Sequence, residues 1–327
     1  MEDFQNYPAV TLAYEYLRKY LERDDIKELV INKPGEVFVE TIYGNWERYE
    51  DDNLSFENLS FFTHSIASVY DICFDQLRNP LISLSFNHNR LQVVAGRFTY
   101  NGFALALRLN KDRKFKPNEL EEKTRIGHQE LETENDFYDT DDKIGHLKWA
   151  IKNKKNLLLA GATGSGKTAW IKRLLAEIDL NERILTVEGV PEIEIPHPNW
   201  CRLLYPEGSD PKERMMVKEI FDATLRLRPE RIIVGEIRQQ NAYGFVRALT
   251  NGHPGTVATI HASDPAEAIE AVVEYYSASG DLTAAVGQSI KKRLLKNIYG
   301  VATHKRTGDV YSIDFTPTKE ILNELTV

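Results

Sequence analysis

Two hydrophobic periods run through this chain, and where each occurs divides it. Residues 28–32 and 36–40 are short β-rich runs on either side of Lys33-Pro34-Gly35. Proline followed by glycine suits a type II turn, so the pair reads as a β-hairpin. Residues 41–50 add a third strand, and 81–86, 90–95 and 103–109 read as further strands with turns between them. Two other stretches follow the helical period. Leu12, Tyr16, Leu17, Tyr20 and Leu21 mark one face of a first helix, with Thr11 as its expected cap. Phe56, Leu59, Phe62, Ile66 and Val69 mark a second helix over 55–70. Residues 1–110 are therefore expected to form an α+β domain with an antiparallel sheet.

The pattern then lapses. Residues 111–143 are crowded with charge and poor in large apolar side chains, which predicts an exposed linker with one helix started by Pro117. From 144 to 327 short apolar runs alternate with helical stretches. A helix over 141–153 leads into a strand at 156–160; runs at 183–187, 231–234 and 256–260 follow, with helices over 169–178, 215–227 and 241–250. The tail, 297–304 and 309–315, reads as a hairpin around Arg306-Thr307-Gly308. Such alternation predicts a mostly parallel sheet covered by helices, hence an α/β fold with a smaller α+β domain in front of it.

Composition changes this picture little. A chain of 327 residues suggests two domains, and 42% hydrophobic with 28% charged residues is ordinary for a soluble protein. Cys73 and Cys201 lie far apart and form no CxxC pair, which argues against a zinc site and favours a reducing, cytosolic setting. A net charge of −8 offers no strong general nucleic-acid signal. No apolar run approaches bilayer length, and the opening MEDFQNYPAV carries acidic residues where a signal peptide has basic ones.

The chemistry is concentrated after the strand at 156–160. Gly161-Ala162-Thr163-Gly164-Ser165-Gly166-Lys167-Thr168 matches the P-loop pattern G-x-x-x-x-G-K-S/T, between a strand and a helix. Glycines let the backbone wrap closely around anionic oxygens, and the helix N-terminus adds N–H donors. Lys167 is expected to reach the β- and γ-phosphates, and the Thr168 hydroxyl to bind Mg²⁺. Three other apolar runs end in polar groups: Glu188, Glu236 and His261. In parallel sheets ligands bind beyond the carboxyl ends of the strands, so these groups should meet the P-loop in one crevice. RIIVGE reads as a Walker-B strand, with Glu236 on the metal and a second carboxylate, Glu188, orienting or deprotonating water. His261 would sense the γ-phosphate or hydrogen-bond a carboxylate.

Together these segments resemble the secretion ATPases that power type IV secretion and conjugation, relatives of the type II secretion and type IV pilus motors. GATGSGKT resembles their Walker A, ILTVEGVPEI their acidic box, LRLRPERIIVGEIR their Walker-B region and NGHPGTVATIHA their histidine box. Gly189 stands where the family usually has aspartate ahead of a further glutamate. The resemblance implies a RecA-like P-loop motor domain, Mg²⁺-dependent ATP hydrolysis, and a homohexamer. It also implies inner-membrane partners in a secretion machine and peripheral contact at the cytoplasmic face of that membrane. Arg90 and Arg108 are similar to two N-terminal arginines that reach the nucleotide in this family. The same motifs would serve a type II secretion or pilus motor. The alternative from another class is a nucleotide-gated scaffold without turnover, against which the pairing of Glu188 with Glu236 argues.

Overall fold

The computed structural model describes residues 7–86, 88–110, 142–208, 210–279, 284–307 and 310–325. The expected linker over 111–143 lies almost wholly outside them. The chain divides into two compact units, and the segment Leu225–Arg228 groups with the first although the sequence carries it within the second.

The first unit holds α1 (Pro8–Glu15), α2 (Arg18–Leu21), β1 (Ile26–Ile31), β2 (Glu36–Thr41), β3 (Trp46–Glu50), α3 (Phe56–Val69), β4 (Leu81–Phe86), β5 (Asn89–Ala95) and β6 (Phe103–Arg108). Its six strands pair in the order β3-β2-β1-β6-β5-β4, all antiparallel. Gly35 has φ 83°, the value the second central residue of a type II turn needs after Pro34. Strand alternation sends Leu29, Ile31, Val37, Val39, Leu91, Val93, Leu105 and Leu107 into one core with α1 and α3. Ser55 caps α3, its hydroxyl accepting from the Asn58 N–H at 3.2 Å. The first helix differs from expectation. Tyr7 is its N-cap and Pro8 opens it, because proline's fixed φ is already helical and its missing N–H is not needed there. Thr11 lies inside the helix, and its hydroxyl donates to the Tyr7 carbonyl at 3.4 Å. The helix breaks at Tyr16 and restarts at Arg18, yet one buried face runs through both pieces: Val10, Ala13, Leu17 and Tyr20 are buried while Leu12 is 57% exposed.

The second unit holds α4 (Lys143–Lys152), β7 (Leu157–Gly161), α5 (Lys167–Leu175), β8 (Ile184–Glu188), β9 (Trp200–Leu204), α6 (Pro211–Arg226, whose last two residues group with the first unit), β10 (Arg231–Val234), α7 (Ala242–Thr250), β11 (Val257–Ile260), α8 (Pro265–Ala278), α9 (Ala284–Asn297), β12 (Gly300–Thr307), β13 (Val310–Pro317) and α10 (Thr318–Leu325). Its sheet runs β13-β12-β7-β11-β10-β8-β9, parallel throughout except for the edge strand β13. The terminal hairpin is longer than the apolar run implies: Arg306 and Thr307 are paired strand residues, opposite Tyr311 and Val310. Strand β9 has no counterpart in the sequence reading, because Arg202 interrupts its apolar pattern. Buried aliphatic strands such as β7 and β8 read as continuous apolar runs, as strands covered on both faces do. The consequence for chemistry is positional: β7, β11, β10 and β8 are adjacent and parallel, so their carboxyl ends lie side by side.

Candidate active site

The P-loop connects the end of β7 to α5. Gly164 and Gly166 have φ of 72° and 96°, in the left-handed region that side chains disfavour. Gly166 caps α5 without a side chain. The first N–H groups of that helix have no intrahelical acceptor, so they and the helix dipole favour an anion. Lys167 Nζ donates to the carbonyls of Gly161 and Ala162, at 2.7 and 2.9 Å. Burial holds its ammonium below the usual lysine range, and the Glu236 carboxylate opposes that shift. Ala162 and Thr163 are exposed on the loop, whereas Ser165 is buried beneath it.

Lys167, Thr168, Glu188, Glu236 and His261 line one crevice together with Thr163 and Gly164. The crevice lies beyond the carboxyl ends of the four adjacent strands. Each carboxylate nevertheless has a different environment. Glu188, expected as a water-activating group, is 1% exposed and already engaged. Its Oε2 accepts from the backbone N–H groups of Glu192 and Ile193, both at 2.8 Å, and its Oε1 lies 3.3 Å from Arg202 Nε. Burial pushes its carboxyl up, while the two amides and the guanidinium pull it back. Arg202 also donates to the carbonyl of Ile193 and to Glu194, so β9 pins the loop that follows Glu188 at its start and near its middle.

That loop presents Glu192, a residue missing from the candidates named above. Thr168 Oγ1 donates to Glu192 Oε2 at 3.0 Å, and Glu192 is exposed in the crevice. The signal for it was the further glutamate of the acidic-box pattern in VPEI.

Glu236 lies just past β10, and both its oxygens have partners. His261 Nε2 stands 2.6 Å from Oε1, while Arg238 directs Nε and Nη2 to Oε2 at 2.9 and 2.7 Å. The loop around it is tied from below: Asn241 Nδ2 donates to the Glu236 carbonyl at 2.7 Å and to the Tyr205 hydroxyl at 2.8 Å. Burial pushes the Tyr205 phenol up, so it stays a neutral hydrogen-bonding group.

Arg90 and Arg108 belong to the first unit. They are directly opposite each other on β5 and β6, exposed, on the sheet face turned away from α1 and α3.

The residues of the crevice fit a nucleotide with Mg²⁺. Among the described residues no group of three or more His, Cys, Asp or Glu side chains could hold a metal ion. Mg²⁺ asks for less: one or two protein oxygens, with water and phosphate oxygens for the rest. Thr168 and Glu236 offer such oxygens beside a loop built to hold phosphate. Also among the described residues, no helix is long and apolar enough to cross a membrane.

Comparison with known proteins bears on the family and the fold. A family model described as Type II/IV secretion system protein matches residues 127–317. The type IV secretion system protein VirB11 of Bartonella quintana is 32% identical over 298 residues, spanning 84% of this chain and 83% of that one. VirB11 of Brucella suis biovar 1 is 30% identical over 272 residues, spanning 78% and 74%. The crystal structure of the VirB11 ATPase from the Brucella suis type IV secretion system, in complex with sulphate, matches with a TM-score of 0.81 at 25% identity. That match covers 97% of this chain and 98% of the other.

Proposed function

Since this chain belongs to the type II/IV secretion system protein family, in the branch of the VirB11 secretion ATPases, we propose that it hydrolyses ATP with Mg²⁺ to drive a type IV secretion or conjugation machine. The observation that carries this reading is the convergence of P-loop, Glu192, Glu236 and His261 on one crevice of the parallel sheet.

Bound Mg²⁺ and ATP would supply the electrophilic phosphoryl group and the metal charge that neutralises its oxygens. The protein's own groups do the rest. The N–H groups of the P-loop and of α5 bind phosphate oxygens, and Lys167 places an ammonium at the loop's floor. Thr168 and Glu236 would hold the metal, with Glu192 orienting the Thr168 hydroxyl. His261 keeps Glu236 aimed through the 2.6 Å contact between its Nε2 and Oε1. Glu188 acts through structure: its buried carboxylate organises the loop that carries Glu192, so its effect on water activation is indirect. Arg90 and Arg108 supply further cationic charge to the nucleotide.

We place the working form as a homohexamer, docked on inner-membrane components at the cytoplasmic face. The test of the chemistry is Lys167→Ala: it should lose ATPase activity while its circular dichroism and melting stay those of the wild type. Normal turnover by a folded Lys167→Ala protein would overturn the reading.

A further inference from the structure

The loop leaving β9 brings into the crevice a carboxylate that the mechanism above does not use. Glu207 Oε1 accepts from Arg238 Nη1 at 3.1 Å. The same guanidinium gives its other donors to Glu236 Oε2, and Glu236 Oε1 meets His261. Glu207, Arg238, Glu236 and His261 thus form one continuous chain along the crevice, with a single arginine shared between two carboxylates. All four line the same space.

Gly189 provides a second, independent observation. Its backbone is outside the left-handed region, so no dihedral requires glycine. What glycine supplies is room. A Cβ at residue 189 would stand 2.5 Å from Glu207 Oε1 and 2.8 Å from its Cγ. The volume that a side chain at 189 would occupy is filled by the Glu207 carboxylate.

We propose that Glu207 is a positioning residue of the ATPase site, sharing Arg238 with Glu236, and that Gly189 is small in order to admit it. The proposal rests on the ATPase reading. A guanidinium has donors in a fixed planar fork, so two carboxylates on its two sides fix its orientation. With Glu207 in place, Arg238 holds Glu236 Oε2 and leaves Oε1 to His261. Without Glu207 the fork turns, and Glu236 turns with it. An exposed pair of this kind adds little to stability. Its loss should therefore be read in turnover and not in melting.

The experiment has a kinetic arm and a nucleotide-free arm. In the kinetic arm, Glu207→Gln and Glu207→Ala should each lower kcat roughly tenfold while KM stays within about twofold, the pattern of a lost transition-state contribution. Glu207→Asp should recover part of the loss, and so should Gly189→Asp combined with Glu207→Ala, which returns a carboxylate to the same space. In the nucleotide-free arm, Gly189→Asp should lower the melting temperature in the wild-type background and leave it unchanged in the Glu207→Ala background. Wild-type kcat in both Glu207→Gln and Glu207→Ala overturns the positioning role. An equal melting loss from Gly189→Asp in both backgrounds overturns the shared space. If the wild type itself shows no Lys167-dependent turnover, the ATPase reading fails, and the positioning role with it; the melting arm still decides whether Glu207 and residue 189 compete for one volume.

Discussion

Replacing Glu188 by alanine tests how the acidic loop is built. The carboxylate is 1% exposed and its partner Arg202 is 3% exposed. Alanine removes the acceptor of two backbone N–H groups, at Glu192 and Ile193, and leaves the guanidinium short of its counter-charge. Breaking one side of a buried ion pair costs about 3–5 kcal/mol, because the remaining charge stays desolvated. For a unit of this size each kcal/mol moves the melting temperature by about 2–4 °C, so the drop should be roughly 6–20 °C. Thermal unfolding without nucleotide measures the loss. Amide hydrogen exchange locates it: protection at Glu192 and Ile193 should collapse while that of β7 and β11 persists. Turnover below the melting transition should also fall, because the loop that holds Glu192 against Thr168 is no longer fixed. A Glu188→Ala protein that melts with the wild type and keeps both amides protected would refute the reasoning.

Glu192→Gln should give the converse result, with melting unchanged, since its pair with Thr168 is exposed, and kcat lowered about 10- to 100-fold; wild-type kcat would remove Glu192 from the site. Stability against pH should report Glu188. A carboxyl whose folded pKa is raised contributes stability that is fully present below its unfolded value and is lost as pH rises through the folded value. The melting temperature of the wild type minus that of Glu188→Gln should therefore shrink as pH rises above 4.5, the ordinary value for this group; a difference that grows with pH would show that the amides and Arg202 outweigh burial. Arg90→Ala and Arg108→Ala should each leave the assembly seen by light scattering intact and lower kcat by about 10³-fold, the lower end of what a supplied arginine contributes; full activity in both would show that the P-loop unit works without them.

The sequence alone determined those features whose causes are local. The P-loop is legible because positive φ at Gly164 and Gly166 is a property of those residues, and because a strand and a helix flank it. The hairpin at Pro34-Gly35 is legible for the same reason, as are the strands whose apolar runs are unbroken. The polar residues that end β8, β10 and β11 could be named in advance, since parallel strands place their carboxyl ends together. Local signals failed where two competed within one turn: Pro8 opens the first helix ahead of Thr11, and Leu12 lies off the buried face that runs through Val10, Ala13, Leu17 and Tyr20. Only the tertiary structure decided the surroundings of each carboxylate. Glu188, Glu192, Glu207 and Glu236 are alike as letters. Glu188 is buried because β9, whose arginine hides it from a hydrophobic pattern, packs Arg202 beside it. Glu192 reaches Thr168 because that buried pair shapes its loop. At residue 189, where the resemblance leads one to expect an aspartate, Glu207 fills the space from a different loop. Burial and charge pairing depend on which distant segments the sheet order brings together, and spacing along the chain does not carry that information.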